Sequence, residues 1–225
     1  MSISYKDNDT YTANRKRRRK QKHKAAAALI IKLIIFIMLF ICIISIVRIL
    51  FSDTKEKKLE RLKKAEIPEW IDVELIDIDG HARRGEKLDG ITDIVIHYVG
   101  NPGTTAMQNR NYFNNEGTDV SSHFIVGLDG EIVQCVPIDE KSSASNWRNN
   151  DTISIEVCHP DETGEFSETT RESLIKLASW ICRICDLDED NIIRHYDVNG
   201  KLCPIYYVEN EDEWTKLKQD IIENK

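Results

Sequence analysis

At 225 residues the chain has room for one domain of about 150 residues and terminal extensions, and not for two domains of that size. Its formal charge of −7 hides a division: residues 1–50 hold 11 Lys or Arg against 2 Asp, whereas residues 51–225 hold 20 basic and 36 acidic groups. An acidic body of this kind excludes a general affinity for nucleic acid, so the basic stretch is a local device.

In chain order, residues 1–24 are polar and rich in Lys and Arg, the composition of an unfolded cytoplasmic tail. Residues 25–47 are interrupted by a single charge, Lys32, and residues 33–47 carry no charge. About 20 such residues are enough for a helix to span the hydrocarbon core. The sequence therefore predicts a transmembrane anchor over 25–50, with the bilayer as a partner and Lys32 snorkelling to the headgroups. The cluster from Arg15 to Lys24 would stay in the cytoplasm, which makes the protein single-pass with an extracellular catalytic domain. A cleaved signal peptide is the alternative, but the run is long for one and no small-x-small site follows it. Residues 51–84 read as a stalk and approach segment: 53–65 are charged and helical in pattern, and Pro68 ends the pattern.

The domain proper is expected over 85–225. Ile94-Val95-Ile96 is a buried-strand signal, and residues 105–115 look helical, ending near Gly117. Strands over 123–126 and 131–136 flank Asp129-Gly130, a tight-turn pair. Residues 152–157 alternate as another strand. Thr169 and Glu172 can form a capping box for a helix with Leu174, Leu177, Ala178, Ile181 and Ile184 on one face. A last helix over 212–222 groups Trp214, Leu217 and Ile221. This alternation predicts an α/β fold with a mixed central sheet flanked by helices; strand order is not encoded in it.

Within this frame the reactive side chains fall into two groups. His97 follows the apolar run 94–96, at the expected C-terminal end of a strand, where sites in α/β folds are common. Residues 194–204 supply His195 and Cys203 on either side of a loop containing Gly200. Two imidazoles and a thiolate form a borderline-soft set suited to zinc, and three protein ligands leave the fourth place open, as catalysis requires. Glu156 lies between apolar neighbours in the strand 152–157 and is a candidate proton-transfer group, or else an exposed acid on an edge strand. Lys201 could balance charge on a carbonyl oxygen, or be a solvated loop lysine. Cys203 could also act as a nucleophile in a Cys-His hydrolase. The Cys182-x-x-Cys185 pair sits in a helical segment and reads as core packing, with or without a disulfide.

Taken together, five ordered motifs resemble the zinc-dependent N-acetylmuramoyl-L-alanine amidases of the type-2 amidase and peptidoglycan-recognition superfamily, in particular forms from Gram-positive bacteria and their phages. They are residues 94–98, 101–105, 122–130, 152–157 and 194–204. The resemblance implies a mixed sheet with zinc in an open groove, held by His97, His195 and Cys203. It also implies that Glu156 is the catalytic glutamate and Lys201 the lysine beside the last ligand. The substrate class would be peptidoglycan, cut between the lactyl group of N-acetylmuramic acid and L-alanine. A catalytically silent peptidoglycan-binding domain is the alternative within the superfamily. Two departures touch the groove: Ser122 precedes His123 where some relatives have an aromatic residue, and Asn146-Trp147-Arg148 stands where many have a Trp-His pair. His123 reads as structural or groove-lining, and His159 as a substrate contact or a loop closure.

Overall fold

The computed structural model describes residue 20 and residues 29–44, 53–78 and 81–225; the chain divides into the units Met1–Ser52 and Asp53–Lys225. In the first unit the expectation of a membrane anchor over 25–50 is overturned. Among the described residues no helix is long and apolar enough to cross a membrane. The helical run described there, residues 29–44, rises roughly 24 Å at 1.5 Å per residue. That falls short of the ~30 Å hydrocarbon core. The bilayer as a partner, the single-pass membrane localisation and the extracellular placement of the catalytic domain rested on that anchor and fall with it. The expected tail over 1–24 lies outside the described residues apart from Lys20.

The second unit is built on a six-stranded mixed sheet. Its strands are β1 (Ile71–Val73), β2 (Asp93–Tyr98), β3 (Phe124–Val126), β4 (Ile132–Gln134), β5 (Thr152–Val157) and β6 (Ile192–Arg194), in the order β1-β4-β3-β5-β2-β6. Only β3 and β4 pair antiparallel; all other neighbours are parallel. The β3–β4 connection closes where Gly127 N–H donates to the Glu131 carbonyl at 2.8 Å, with Gly130 at φ +82°. That positive φ suits the Asp-Gly pair seen in the sequence.

Period-two alternation decides what each face of the sheet carries. Ile94 and Ile96 of β2, Ile153 and Ile155 of β5, and Phe124 and Val126 of β3 all point into one large core. That face is covered by α1 (Lys55–Lys64), α3 (Glu168–Cys185) and α6 (Glu211–Glu223), which contribute Leu59 and Leu62, Leu174, Leu177 and Ile181, and Leu217 and Ile221. The intervening residues of the same strands face the other way. There Ile125 and Cys158 join a smaller cluster with Ala106 and Phe113 of α2 (Ala106–Phe113). His97 and Glu156 share that sparsely covered face.

Three local readings differ from expectation. Residues 55–64 form the expected helix, but it buries Leu59 and Leu62 in the core rather than standing off as a stalk. Three residues of spacing place both leucines on one face of an otherwise charged helix. Helix α3 begins earlier than the Thr169 box, with the Ser167 side chain accepting from the Thr170 N–H. Strands β1 and β6 are three residues each, too short to show a period in sequence. No described cysteine is in a disulfide, and Cys182 and Cys185 are buried in the core as expected.

Candidate metal centre and active site

Strand pairing sets the first two groups side by side. In the parallel register of β2 and β5, His97 is directly opposite Glu156, and the His97 Nδ1 to Glu156 Oε1 separation is 4.0 Å. Strand β5 lies between β3 and β2, so Glu156 is on an interior strand and not at an edge. One of its oxygens, Oε2, is buried without a partner.

A different chain segment brings the remaining ligands. Strand β6 runs beside β2 and passes directly into α4 (His195–Asn199), so His195 opens a helix at the end of a strand. Arg194 anchors that junction, donating to Asp197, to the Tyr207 carbonyl of α5 (Ile205–Glu209) at 2.8 Å and to Glu211 at 2.7 Å. Gly200, at φ +82°, ends α4 in the left-handed conformation that glycine adopts freely. The chain then doubles back, and the Tyr196 N–H donates to the Cys203 carbonyl at 3.0 Å.

The result is a buried triad of donors. One ligand atom from each of His97, His195 and Cys203 lies within 4.8 Å of the others. The two imidazole centroids are 4.8 Å apart, and Cys203 Sγ is 3.8 Å from His97 Nδ1. Tetrahedral zinc with bonds of about 2.3 Å to sulfur and 2.0–2.1 Å to nitrogen separates those donors by about 3.6 Å. His195 Nδ1 is buried with no hydrogen-bond partner, an orphaned donor site that a cation would satisfy. The residues present therefore fit a divalent metal.

The electrostatics agree. Burial pushes the His97 imidazole well below its usual pKa, helped by His195 and Lys201; burial and Lys201 bring His195 down to about 4. Both rings are thus neutral and able to offer a lone pair. Burial pushes the Cys203 thiol up to about 12, Glu156 adding to it while the Tyr98 amide and Lys201 oppose it. Burial thus works against the low-pKa thiolate that a Cys-His hydrolase needs. Burial also raises Glu156 to about 8 against the pull of Lys201. Glu156 and Lys201 line one open cavity of about 320 Å³ with Tyr98, Tyr112, Phe113 and Val120.

All five residues singled out in the sequence meet here. His123 and His159 stand apart from the triad. His123 is buried between Ser154 Oγ, at 3.0 Å, and the Glu140 carbonyl, at 2.8 Å. His159 stacks on Tyr98 with centroids 5.0 Å apart and donates to the Asp161 carbonyl. Sequence reasoning missed Ser145, Asn146 and Asn199, which bond to the two ligand histidines. Only Asn199 had a legible signal, four residues after His195 on one helix.

With this geometry in hand, similarity to known proteins can be set beside it. The sequence profile of a family described as N-acetylmuramoyl-L-alanine amidase (Amidase_2) matches residues 87–205, more than half of the chain. The chain belongs to this amidase family. N-acetylmuramoyl-L-alanine amidase BlyA of Bacillus subtilis (strain 168) is 30% identical over 167 residues, covering 65% of this chain and 45% of that protein. N-acetylmuramoyl-L-alanine amidase CwlL of Bacillus licheniformis is 27% identical over 165 residues, with the same coverage of each chain. Among solved structures, a mutant endolysin from Bacillus subtilis superposes with a TM-score of 0.59 at 25% identity, covering 67% of this chain and 97% of that one. The chain thus spans about half the length of the curated amidases it matches and nearly all of that endolysin structure. The matched segment 87–205 contains both histidines, Glu156, Lys201 and Cys203.

Proposed function

We propose that the domain is a zinc-dependent N-acetylmuramoyl-L-alanine amidase that hydrolyses peptidoglycan. The observation that carries this reading is the juxtaposition of the His97, His195 and Cys203 donors with the carboxylate of Glu156, which lines an open cavity. A set of two imidazoles and one thiolate suits zinc among the divalent metals, and three protein ligands leave room for substrate. When bound, zinc would supply Lewis acidity toward the lactyl carbonyl and toward water.

The chain's own groups divide the rest of the work. Glu156 accepts a proton from the water that attacks the carbonyl carbon. It delivers that proton to the L-alanine nitrogen as the C–N bond breaks, leaving a carboxylic acid and a free amine. Lys201 balances the negative charge that develops on the carbonyl oxygen. Tyr98, Tyr112 and Val120 offer the walls of the cavity to the stem peptide.

The test is incubation of the purified chain with peptidoglycan, followed by quantification of new L-alanine amino termini. Release that disappears on chelation and returns with zinc is the expected result. Binding to peptidoglycan without release would instead establish the silent binding domain.

A further inference from the structure

Both ligand histidines are held at their far nitrogens by one turn of chain. His97 Nε2 is 3.1 Å from Ser145 Oγ, and His195 Nε2 is 2.9 Å from Asn146 Oδ1. These adjacent residues lie on no strand of the sheet. The same Asn146 oxygen accepts from Asn199 Nδ2 at 2.7 Å, and an amide oxygen only accepts, so His195 Nε2 donates to it at 2.9 Å in preference to accepting across the longer 3.3 Å approach of Asn199 Nδ2. That fixes the tautomer: the proton is on Nε2, and the bare lone pair is on Nδ1. Nδ1 is the atom of His195 that is buried without a partner, and Nδ1 of His97 is the atom that faces Cys203 Sγ.

The turn is itself built to stay in place. Asn149 Oδ1 accepts from the N–H groups of Ala144, at 3.2 Å, and Ser145, at 2.6 Å. Arg148 ties the following 3-10 segment, Asn146–Asn150, to Thr92 and Asp93 at the start of β2 and to Asp151. Asn146 holds φ +54°, in the left-handed region where Asn is tolerated far better than most residues. A side chain kept there, on a rigid turn and aimed at an imidazole, has the form of an outer support for a metal ligand.

We infer that the Ser145-Asn146 turn orients both metal-binding imidazoles, with Asn146 setting the tautomer of His195 and acting as the principal positioning residue for zinc. The inference rests on the proposed metal site. It goes beyond it by assigning the site's affinity to residues that touch neither metal nor substrate. Asn146→Gly is the informative substitution, because glycine accepts the positive φ and removes only the acceptor. Asn146→Asp keeps an acceptor oxygen and serves as the conservative rescue.

Two readouts on the full chain decide the matter. Zinc affinity is measured by competition with a chromophoric chelator, and the His195 tautomer by nitrogen-15 NMR of the metal-free protein. Asn146→Gly should bind zinc about 10–100-fold more weakly and lose the single Nε2–H tautomer, while Asn146→Asp retains both properties. A Gly variant that binds zinc as tightly as the unmodified chain overturns the inference and leaves the metal site standing. An unmodified chain that takes up no zinc overturns the metal reading itself, and this inference with it.

Discussion

Glu156 and Cys203 are raised by the same burial, yet their roles separate because one has a free oxygen toward the cavity and the other faces two imidazoles. Glu156→Gln should keep the metal and lose roughly 10²–10⁴-fold in turnover, the range for a positioned acid–base group. Amide release by the zinc-loaded variant at an unmodified rate would remove Glu156 from the mechanism. Cys203→Ser exchanges a soft anionic ligand for a poor neutral one, so zinc retention should fall sharply while the fold persists. Metal analysis after dialysis checks this, and full stoichiometry in the variant would exclude the thiol as a ligand. Ligands and proton-transfer group were legible in the sequence because each sits in a short local pattern: an apolar run before His97, alternation around Glu156, and the 194–204 loop. The histidine supports were not legible, since Ser145 and Asn146 reach their partners across 48 and 49 residues with no motif to mark them.

Elements explain why the site lies where it does. Strands β2 and β5 each show one face to the helices and the other to the groove, and α3 covers the helix side with Leu174, Leu177 and Ile181, all fully buried. Leu177→Ala should cost about 2–5 kcal/mol of stability, the range for a buried leucine in a packed core. Denaturant unfolding would measure it, and a negligible change would mean that α3 is not the lid of the core. The longer elements β2, β5, α3 and α6 were read correctly in kind from their apolar patterns, and the β3–β4 hairpin from its Asp129-Gly130 turn. What misled was burial. Helix α1 looks like a solvated stalk because Leu59 and Leu62 are its only apolar residues, and the apolar run before it has the composition of a membrane span, although among the described residues no helix is long and apolar enough to cross one.

At the scale of the molecule, buried neutral histidine links stability to pH. Burial lowers His123 from 6.5 to about 4, against the pull of the Glu140 carbonyl and carboxylate. The unfolded chain therefore binds a proton between those values that the folded chain refuses. Stability contributed by His123 is complete above about pH 6.5 and declines as pH falls toward 4, by ~3 kcal/mol at most. Urea titrations across that window in the unmodified chain and in His123→Asn should differ in slope, and parallel curves would contradict the assignment. The catalytic claim depends on the same buried setting, because burial keeps both imidazoles neutral and able to offer a lone pair to a metal. Its most direct measurement is the release of L-alanine amino termini from purified peptidoglycan by the full chain, stripped of metal and then reloaded with zinc. Release that vanishes with the metal and returns with zinc is predicted; release that continues undiminished in the stripped protein would contradict it.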